Sequence, residues 1–259
     1  EVELKGGYEV FENENDFEQN ALFLAEYQNQ LKQNGFDYEL KNQKHFNGLY
    51  HQSIFTQQEF ALNPLLLHQT LKQKISQYEN VHFLQGIEAY LASNNQITIS
   101  LNNELIELKY NKAAITTNAL FDKSNDLKPA RAQVLITEKT DLNWKGTFHC
   151  NEGYNYFRNY DSRILLGGGR NINSQTETST EIELNEKIQD YLENDFLKKI
   201  TNKKLKIVKR WSGIMAVGEN KWPEIGEINS HIVYGVKLGG MGVAISHEIG
   251  KLLAEKLWK

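Results

Sequence analysis

The sequence predicts an α/β (α+β) fold made of two domains that are interleaved along the chain. With 259 residues, the chain is long enough for two modest domains, each with its own core. Short apolar segments that end in small residues predict strands buried on both faces; they are 81–85, 113–117 and 231–236. Longer alternating segments predict half-exposed antiparallel strands; they are 36–60, 131–172 and 205–218. Because the two kinds alternate, the chain is expected to cross between the domains more than once.

Helices are predicted where apolar residues recur at helical spacing. The predicted ranges are 16–35, 63–78, 181–200 and the C-terminal stretch after the last glycine cluster. The first helix is expected to pack one face on a sheet and to end at Gly35, and Asn63 and Pro64 open the second. The buried side of this second helix is expected to consist of Leu66, Leu67, Leu71 and Ile75.

The strand pattern changes twice along the chain. The extended runs IEAYLAS, QITISL and LIELKYNKAAITT, separated by the turns SNNQ and NNE, predict an antiparallel meander between 87 and 117. From Lys128 to Ile172 the chain is strand-rich again, as expected for a sheet domain. A loop, PEIGEI, is expected to close on Gly226 before the last strand.

The composition argues against several classes of function. The 29 basic and 33 acidic residues are mixed along the chain without a basic stripe, which argues against a nucleic-acid partner. No apolar run reaches the roughly 18 to 20 residues of a membrane-spanning helix. Cys150 is the only cysteine, so a buried, inert thiol and a reducing cytoplasmic location are expected. The seven histidines lack metal-ligand spacing, so no metal site is predicted.

A glycine-rich turn joins the last predicted strand to the last predicted helix, in the segment VYGVKLGGMGVAISHEIGKLLAEKL at 233–257. A helix that begins on Gly239, Gly240 and Gly242 lets a ligand approach its backbone closely, and its first amides lack partners within the helix. An anionic or electron-rich group is therefore expected there. A tight turn without a ligand explains the same residues equally well.

Five segments, taken in order, resemble those of FAD-dependent amine and amino-acid oxidoreductases. They are TTNA at 116–119, PARAQVLITE at 129–138, GYNYFRNYDSRILLGGGR at 153–170, RWSGIMAVGENKWPEIG at 210–226 and VYGVKLGGMGVAIS at 233–246. On these segments the chain resembles the family of D-amino-acid oxidase, glycine oxidase and sarcosine oxidase. The resemblance covers roughly residues 5–258 and is strongest in the C-terminal half.

The resemblance implies a two-domain flavoprotein, with a Rossmann-like FAD-binding domain and an antiparallel-sheet substrate domain. The implied segments are 1–60 (mainly substrate domain), 61–119 (part of the FAD-binding domain, with the meander), 120–225 (substrate domain) and 226–259 (C-terminal strand and helix of the FAD-binding domain). It also implies that the glycine turn faces the flavin. Helix amides and the helix dipole would stabilise the negative charge of the reduced ring.

Candidate site residues follow from the same resemblance. FAD is the implied cofactor, and the residues expected to bind it are Asn118, Met215, Gly239, Gly240, Met241, Gly242 and Val243. A small-molecule amine or amino acid is the implied substrate, and the residues expected to bind it are Tyr154, Tyr156, Arg158 and Arg170. The first three alternate along a predicted strand and so share a face, where a guanidinium group could clamp a carboxylate. A half-buried aromatic face with surface arginines explains the same pattern. No catalytic side chain is assigned, because hydride transfer to flavin does not require a side-chain base.

One departure from the family pattern is large. The family opens with a strand, a GxGxxG turn and a helix, followed about 20 positions later by an acidic residue, and this sequence contains no GxGxxG. The expectation is an incomplete FAD-binding domain in a truncated fragment that lacks about a hundred N-terminal residues. Weakened FAD binding and an inactive fragment are then expected. Exposed strand edges that pair with another copy, giving a homo-oligomer, are a further hypothesis.

The predicted function is oxidation of a C–N bond in an amine or amino acid by hydride transfer to FAD. One alternative is a non-catalytic module that binds small molecules or supports assembly. The absence of a flavin absorption spectrum would favour this alternative. Another is the same fold acting on a 2-hydroxy acid or a glycerol phosphate, which an absolute need for a substrate nitrogen would exclude.

Overall fold

The computed structural model describes residues 2–92, 95–101 and 104–258. It divides into two compact units: unit 1 is Glu1–Asn63 with Arg131–Ile214, and unit 2 is Pro64–Ala130 with Met215–Lys259. The predicted α/β (α+β) class with interleaved units is confirmed, since each unit combines helices with sheet and takes two separate stretches of the chain. The binding roles given to the four predicted segments stay a prediction. No helix in the described ranges is long and apolar enough to cross a membrane.

The strands and helices are numbered in chain order. The strands are β1 (Val2–Glu3), β2 (Gly7–Phe11), β3 (Glu39–Lys41), β4 (Gln52–Thr56), β5 (Ala61–Leu62), β6 (Glu88–Ala92), β7 (Gln96–Leu101), β8 (Glu104–Lys109), β9 (Ala113–Ile115), β10 (Lys128–Thr137), β11 (Thr147–Cys150), β12 (Asn155–Tyr160), β13 (Arg163–Gly168), β14 (Ile207–Val217), β15 (Glu224–Asn229) and β16 (Ile232–Val236). The helices are α1 (Glu14–Glu26), α2 (Gln28–Gln33), α3 (Pro64–Ile75), α4 (Glu186–Asp190), α5 (Lys198–Thr201) and α6 (Gly242–Leu257), and a π-helical segment, Tyr191–Leu197, joins α4 to α5.

Unit 1 is organised around one large sheet. Its strand order is β14-β10-β13-β12-β11-β2-β4-β3, eight strands within the described ranges. The β11–β2 pair is parallel, whereas β10, β13, β12 and β11 pair antiparallel in that order, as do β2, β4 and β3. These strands confirm the strand-rich prediction for 128–172. The prediction succeeded because a sheet with one covered face has alternating apolar and polar residues.

The core of unit 1 lies between this sheet and the helical segment that runs from α4 to α5. Phe148 and Phe157 stack at 5.2 Å between ring centroids, and Phe196 from the helical segment packs edge-on against Phe157 at 5.8 Å. Cys150 is a free, fully buried thiol in this core, as expected. Burial raises its pKa to about 12, so the thiol stays protonated and unreactive near neutral pH.

Unit 2 has smaller sheets and a smaller core. The antiparallel meander β6-β7-β8 is present as predicted, although parts of the turns SNNQ and NNE lie outside the described residues. A second sheet has the order β15-β16-β9, with β9 parallel to β16. Helix α6 packs on β16, where a Cβ at Gly235 would come within 2.9 Å of both Ile249 and Leu253. Glycine at this position therefore lets the helix lie close to the strand.

Several strand predictions in unit 2 were wrong. Residues 81–85 form no strand. The apolar run at 113–117 forms a strand only over Ala113–Ile115, and Ala114 is exposed, so this strand is not buried on both faces. The segment PEIGEI is not a loop, because Glu224–Asn229 pairs with β16. Apolar character alone did not distinguish a strand from a covered loop here.

The helix predictions were right in place and wrong in detail. The first predicted helix is broken at Tyr27 into α1 and α2, and the third begins at Glu186 rather than near 181. In α3 the expected buried side is exposed, with exposed fractions of 49% for Leu66, 36% for Leu67, 49% for Leu71 and 42% for Ile75. Helical spacing shows that these side chains share a face, but it does not show that the face is covered.

Candidate functional site

The glycine turn of unit 2 lies between the end of β16 at Val236 and the start of α6 at Gly242. Gly239 and Gly240 have φ values of 58° and 82°, in the left-handed region that glycine adopts without steric cost. The helix therefore begins after these two glycines and not on them, which corrects the expectation that all three glycines open the helix.

Neighbouring residues of unit 2 hold this turn in place. Gly239 N donates a hydrogen bond to Ala216 O (3.0 Å), and Leu238 N donates to Asn118 Oδ1 (3.3 Å). Met215 lies beside the turn, since a Cβ at Gly240 would come within 3.3 Å of its Sδ. Unit 2 thus brings together all the predicted cofactor residues: Asn118, Met215, Gly239, Gly240, Met241, Gly242 and Val243.

The first amides of α6 are available to a ligand. Ala244 N and Ile245 N donate to Met241 O (3.0 and 3.1 Å), whereas the described residues supply no acceptor for the N–H groups of Gly242 and Val243. Free amides at a helix N-terminus, together with the helix dipole, stabilise negative charge. Because glycine has no side chain, a ligand can reach the backbone of this turn. The residues present therefore fit an electron-rich group that gains negative charge.

A buried lysine next to the turn was missed by the sequence analysis. Lys237 is a non-glycine residue with φ of 59°, and its ammonium group forms an ion pair with Asp126. The ion pair lowers the pKa of Asp126, chiefly through the hydrogen bond from Lys237. Lys237 is only 3% exposed.

The four predicted substrate residues lie in unit 1, and two of them, Tyr156 and Arg158, lie on the face of the large sheet opposite the core. On β12 the side chains of Asn155 and Phe157 are buried in the core, so those of Tyr156 and Arg158 point to the other face. Tyr154 precedes β12 and lies in a turn, which corrects the expectation that it alternates within the strand.

Cross-strand neighbours extend this polar face over β11. Tyr156 pairs with His149, and Arg158 pairs with Thr147. Side chains of directly opposite residues have Cβ atoms about 5 Å apart. Thr147, His149, Tyr156 and Arg158 therefore form two adjacent rows on one face, called the polar face below.

A carboxylate from the 57–62 segment lies against the polar face. Glu59 accepts a hydrogen bond from the Thr147 hydroxyl, and its Oε1 is 3.4 Å from His149 Nε2. The hydrogen bond to Glu59 raises the pKa of His149, against the opposing effect of burial. Burial opposes ionisation of Glu59, but hydrogen bonds from His149 and Thr147 hold the pKa of its carboxyl below the usual value. The pair is therefore ionised around neutral pH more readily than either group alone.

Tyr156 and Arg158 are held in different ways. The Tyr156 ring covers Gly167 on β13, where an added Cβ would overlap the ring, and burial raises the pKa of this phenol. Arg158 donates from Nη2 to Leu62 O (2.9 Å), and its guanidinium lies 5.5 Å from the Tyr160 ring centroid. A protonated phenol and the remaining guanidinium N–H groups are both donors, as recognition of a carboxylate requires.

The other two predicted substrate residues contact each other outside the strands. The Arg170 guanidinium lies 5.7 Å from the ring centroid of Tyr154. Gly168 and Gly169 make this possible with φ values of 118° and 74°. A Cβ at Gly168 would overlap Tyr154 O, so only glycine lets the two chain segments approach so closely.

Sequence reasoning missed His149, Glu59 and Thr147 because histidines were considered only as metal ligands. The alternation in TFHC, with Phe148 and Cys150 apolar, places Thr147 and His149 together on the outer face of a strand. Nothing local in the sequence marks Glu59 as their partner.

Comparison with known proteins identifies the family. The chain matches the family model DAO, "FAD dependent oxidoreductase", over residues 1–256. The chain belongs to this family. The resemblance noted in the sequence and the FAD cofactor that it implied are thereby confirmed.

Individual relatives of this chain are distant. Gamma-glutamylputrescine oxidoreductase of Escherichia coli (strain K12) is 28% identical over 139 residues, which are 50% of this chain and 31% of that protein. L-proline dehydrogenase from P. horikoshii has a TM-score of 0.78 at 16% identity, over 98% of this chain and 72% of that one. Glycine oxidase from Geobacillus kaustophilus has a TM-score of 0.79 at 12% identity, over 99% and 71%. These solved structures share the fold of this chain.

Proposed function

We propose that this chain serves the oxidation of a C–N bond of an amine or amino acid by hydride transfer to flavin. The observation that carries the proposal is the turn at the start of α6, where the N–H groups of Gly242 and Val243 are free of acceptors in the described residues. The relatives described above support a nitrogen-containing substrate, since they are a glycine oxidase, a proline dehydrogenase and an oxidoreductase of a putrescine derivative.

In this proposal unit 2 supplies the cofactor residues. FAD, when bound, accepts the two electrons and the hydrogen that leave the substrate as hydride. The amides of Gly242 and Val243 and the dipole of α6 stabilise negative charge on the group they face. Asn118 orients the turn through Leu238, while Met215 and Met241 contribute apolar surface beside it.

Unit 1 supplies the substrate residues. Arg158 binds a substrate carboxylate through the N–H groups that Leu62 does not occupy, and the Tyr156 hydroxyl donates a hydrogen bond to the same carboxylate. Arg170, held against Tyr154, provides a second positive group. No side chain is assigned as a base, because a substrate amine that is already neutral does not have to lose a proton before hydride transfer.

Weak FAD binding and absence of activity in this chain by itself are part of the proposal. The sequence contains no GxGxxG, the turn that binds the pyrophosphate in dinucleotide-binding domains. A cytoplasmic location is likewise proposed, because the single cysteine is a buried free thiol.

A titration of the chain with FAD, followed by flavin fluorescence, tests the cofactor site. Gly240→Ala, at φ 82°, is expected to weaken FAD binding at least tenfold, because alanine strains this turn. Gly250→Ala in α6, where a Cβ meets nothing within 4 Å, is the matched control and is expected to leave binding unchanged. If the chain binds no FAD even at the highest flavin concentration tested, the alternative of a non-catalytic binding module is favoured instead.

A substrate panel then tests the bond that is oxidised. Because this chain by itself is expected to be inactive, the panel uses the product of the complete reading frame. Loss of its visible flavin absorption on adding amino acids or amines, and not on adding 2-hydroxy acids or glycerol phosphate, is the expected result. Reduction by a hydroxy acid alone would overturn the assignment to C–N bonds.

A homo-oligomer formed through strand edges is a separate proposal. Within the described ranges, strand β9 (Ala113–Ile115) is an edge of the β15-β16-β9 sheet, and an edge strand offers backbone groups to a further strand. Light scattering over a concentration series checks it: a mass of one chain at the highest concentration would contradict it.

A further inference from the structure

We propose that Lys237 is a positioning residue, and that its ion pair with Asp126 holds the glycine turn in the conformation that leaves the first amides of α6 free. The proposal rests on the function proposed above, in which these amides serve the flavin. It goes beyond that function by assigning the conformation of the turn to a charged pair that does not itself contact the ligand.

The backbone of Lys237 is the first observation. Its φ of 59° lies in the left-handed region, which a residue with a Cβ rarely adopts. Lys237 is followed by Leu238 and then by two glycines that also have positive φ, Gly239 and Gly240. The chain therefore turns away from the direction of β16 at Lys237, before the glycines, so the conformation of this residue sets where the glycine turn begins.

The side chain of Lys237 is the second observation. Only 3% of the residue is exposed, and its ammonium group pairs with Asp126 and donates to Asn220 Oδ1 (3.0 Å). A buried ammonium group is stable only when it is paired and hydrogen-bonded. The ion pair thus draws the side chain inward, and it thereby keeps the backbone in a conformation that lysine would not adopt in isolation.

Asp126 joins a second segment to the same point. It accepts hydrogen bonds from Glu219 N (2.7 Å) and from Asn220 Nδ2 (3.2 Å), as well as from Lys237. Gly218 precedes these residues, and a Cβ there would lie 2.5 Å from Asp126 Oδ2 and 2.7 Å from Lys237 Cδ. Glycine at 218 therefore lets the loop after β14 lie close to the ion pair without displacing either side chain.

The residues that follow Lys237 transmit this geometry to α6. Leu238 N donates to Asn118 Oδ1, and Gly239 N donates to Ala216 O. Both bonds require the chain to leave Lys237 in its observed direction. Release of the ion pair is therefore expected to break these two bonds and to free the turn, while the strand pairing of β15 with β16 stays intact.

Amide hydrogen exchange of the full chain, resolved to single residues, tests the proposal without any flavin. Lys237→Ala and Asp126→Asn are each expected to accelerate exchange at Leu238 and Gly239 at least tenfold. Exchange of the β16 amides should stay within twofold of the parent chain. Lys251→Ala, an exposed lysine on α6 that pairs with Glu248 at 3.7 Å, is the matched control and should change neither.

Lys237→Gly separates the backbone from the ion pair. Glycine accepts the positive φ but has no ammonium group, so exchange at Leu238 and Gly239 is expected to fall between that of the parent chain and that of Lys237→Ala. If Lys237→Ala does not fold, Lys237→Gly decides alone: acceleration confined to the turn supports the proposal, and unchanged protection overturns it. Acceleration spread evenly over β15, β16 and α6 in any variant also overturns it, because the pair would then serve only the stability of unit 2.

FAD titration of the same variants keeps the two proposals distinguishable. If the parent chain binds FAD, the variants with a freed turn should bind it at least tenfold more weakly, at unchanged midpoints of denaturant unfolding. If the parent chain does not bind FAD, the proposed function fails while the exchange experiment still decides the role of Lys237.

Discussion

The two units of the chain differ in how they are held together. Unit 1 has a continuous hydrophobic cluster of thirteen buried residues within the described ranges, which joins its large sheet to the helical segment from α4 to α5. The cluster that joins α6 to β16 in unit 2 contains three buried residues, Val233, Ile249 and Leu253. Unit 2 also exposes apolar side chains on α3 and on β8, such as Leu71 and Leu105.

This difference shows which parts of the molecule depend on polar contacts. Where an apolar core is extensive, loss of one surface contact changes little, because burial supplies most of the stability. Where the core is small, a buried ion pair such as Lys237–Asp126 has more control over local conformation. The proposed cofactor turn lies in the unit with the smaller buried cluster, whereas the polar face lies on the large sheet of unit 1. Binding elements with low local stability are those that a ligand can order.

The largest effect is expected in the core of unit 1. Phe157→Ala removes a fully buried ring that stacks on Phe148, so it should lower the free energy of unfolding of unit 1 by about 3–5 kcal/mol. Urea denaturation followed by near-ultraviolet circular dichroism measures this change. Val208→Ala on β14, which is 49% exposed, is a control for loss of an apolar side chain from the same sheet. Equal effects of the two substitutions would contradict the contrast drawn above.

A large effect is also expected from the buried ion pair of unit 1. Arg131 and Glu177 are both buried, with Nη2 and Oε1 2.9 Å apart, and Gln133 and Asn185 also donate to the carboxylate. Glu177→Gln removes the buried countercharge of the guanidinium group and leaves only the more exposed Glu183 carboxylate, 3.4 Å from Nη1, beside it. It should cost about 3 kcal/mol, measured by urea denaturation.

The same pair makes the stability of unit 1 depend on pH. Burial opposes ionisation of Glu177, but the hydrogen bonds from Arg131, Gln133 and Asn185 hold its pKa below the ordinary value of 4.5. A group whose pKa is lowered by folding contributes stability above its unfolded pKa and loses it as the pH falls through the folded value. Acid unfolding of unit 1 should therefore begin below about pH 4.5, and Glu177→Gln should flatten this part of the profile.

The sequence predicted most of unit 1 and less of unit 2 for a physical reason. Strands β11, β12 and β13 pair with their sequence neighbours across short turns, and β10 then pairs with β13. One covered face imposes an alternation on these strands that is visible locally. In unit 2, β9 pairs with β16 from the far end of the chain, and the segment 81–85 is apolar without forming a strand. Apolar residues in unit 2 therefore carry less information about secondary structure.

The candidate sites show the same limit. Tyr156 and Arg158 could be placed on one face from their spacing, and Gly239 and Gly240 could be placed in a turn from their type. Glu59 and Asp126 could not be predicted, since Glu59 lies 88 positions from Thr147 and Asp126 lies 111 positions from Lys237. A contact between distant segments leaves no periodic pattern in one sequence.

A smaller effect is expected on the polar face of unit 1. Glu59→Gln should lower the pKa of His149, because the hydrogen bond to the carboxylate is the main cause of its elevation. With its pKa raised above 6.5, the protonated imidazole contributes stability below that pH, and the contribution is lost as the pH rises through the folded pKa. Nuclear magnetic resonance titration of the His149 ring measures the shift, and Thr147→Val is a control that removes a contact to Glu59 without removing its charge. An unchanged His149 titration in Glu59→Gln would mean that Glu9, the other nearby carboxylate, controls the imidazole.

The smallest effect is expected on the exposed face of α3. Leu71 is 49% exposed, so Leu71→Ala should change the free energy of unfolding of unit 2 by about 0.5 kcal/mol or less. Leu253→Ala, in the small core of the same unit, is the matched leucine substitution and should cost about 2–5 kcal/mol. If Leu71→Ala costs as much as Leu253→Ala, the face of α3 is covered in solution, and the chain packs this helix against another surface. In that case the cost should depend on protein concentration if the covering surface is a second copy of the chain. If the loss of unfolding free energy caused by Leu71→Ala does not depend on protein concentration, the surface that covers α3 belongs to the same molecule. The two units would then differ less in apolar burial than their buried clusters indicate.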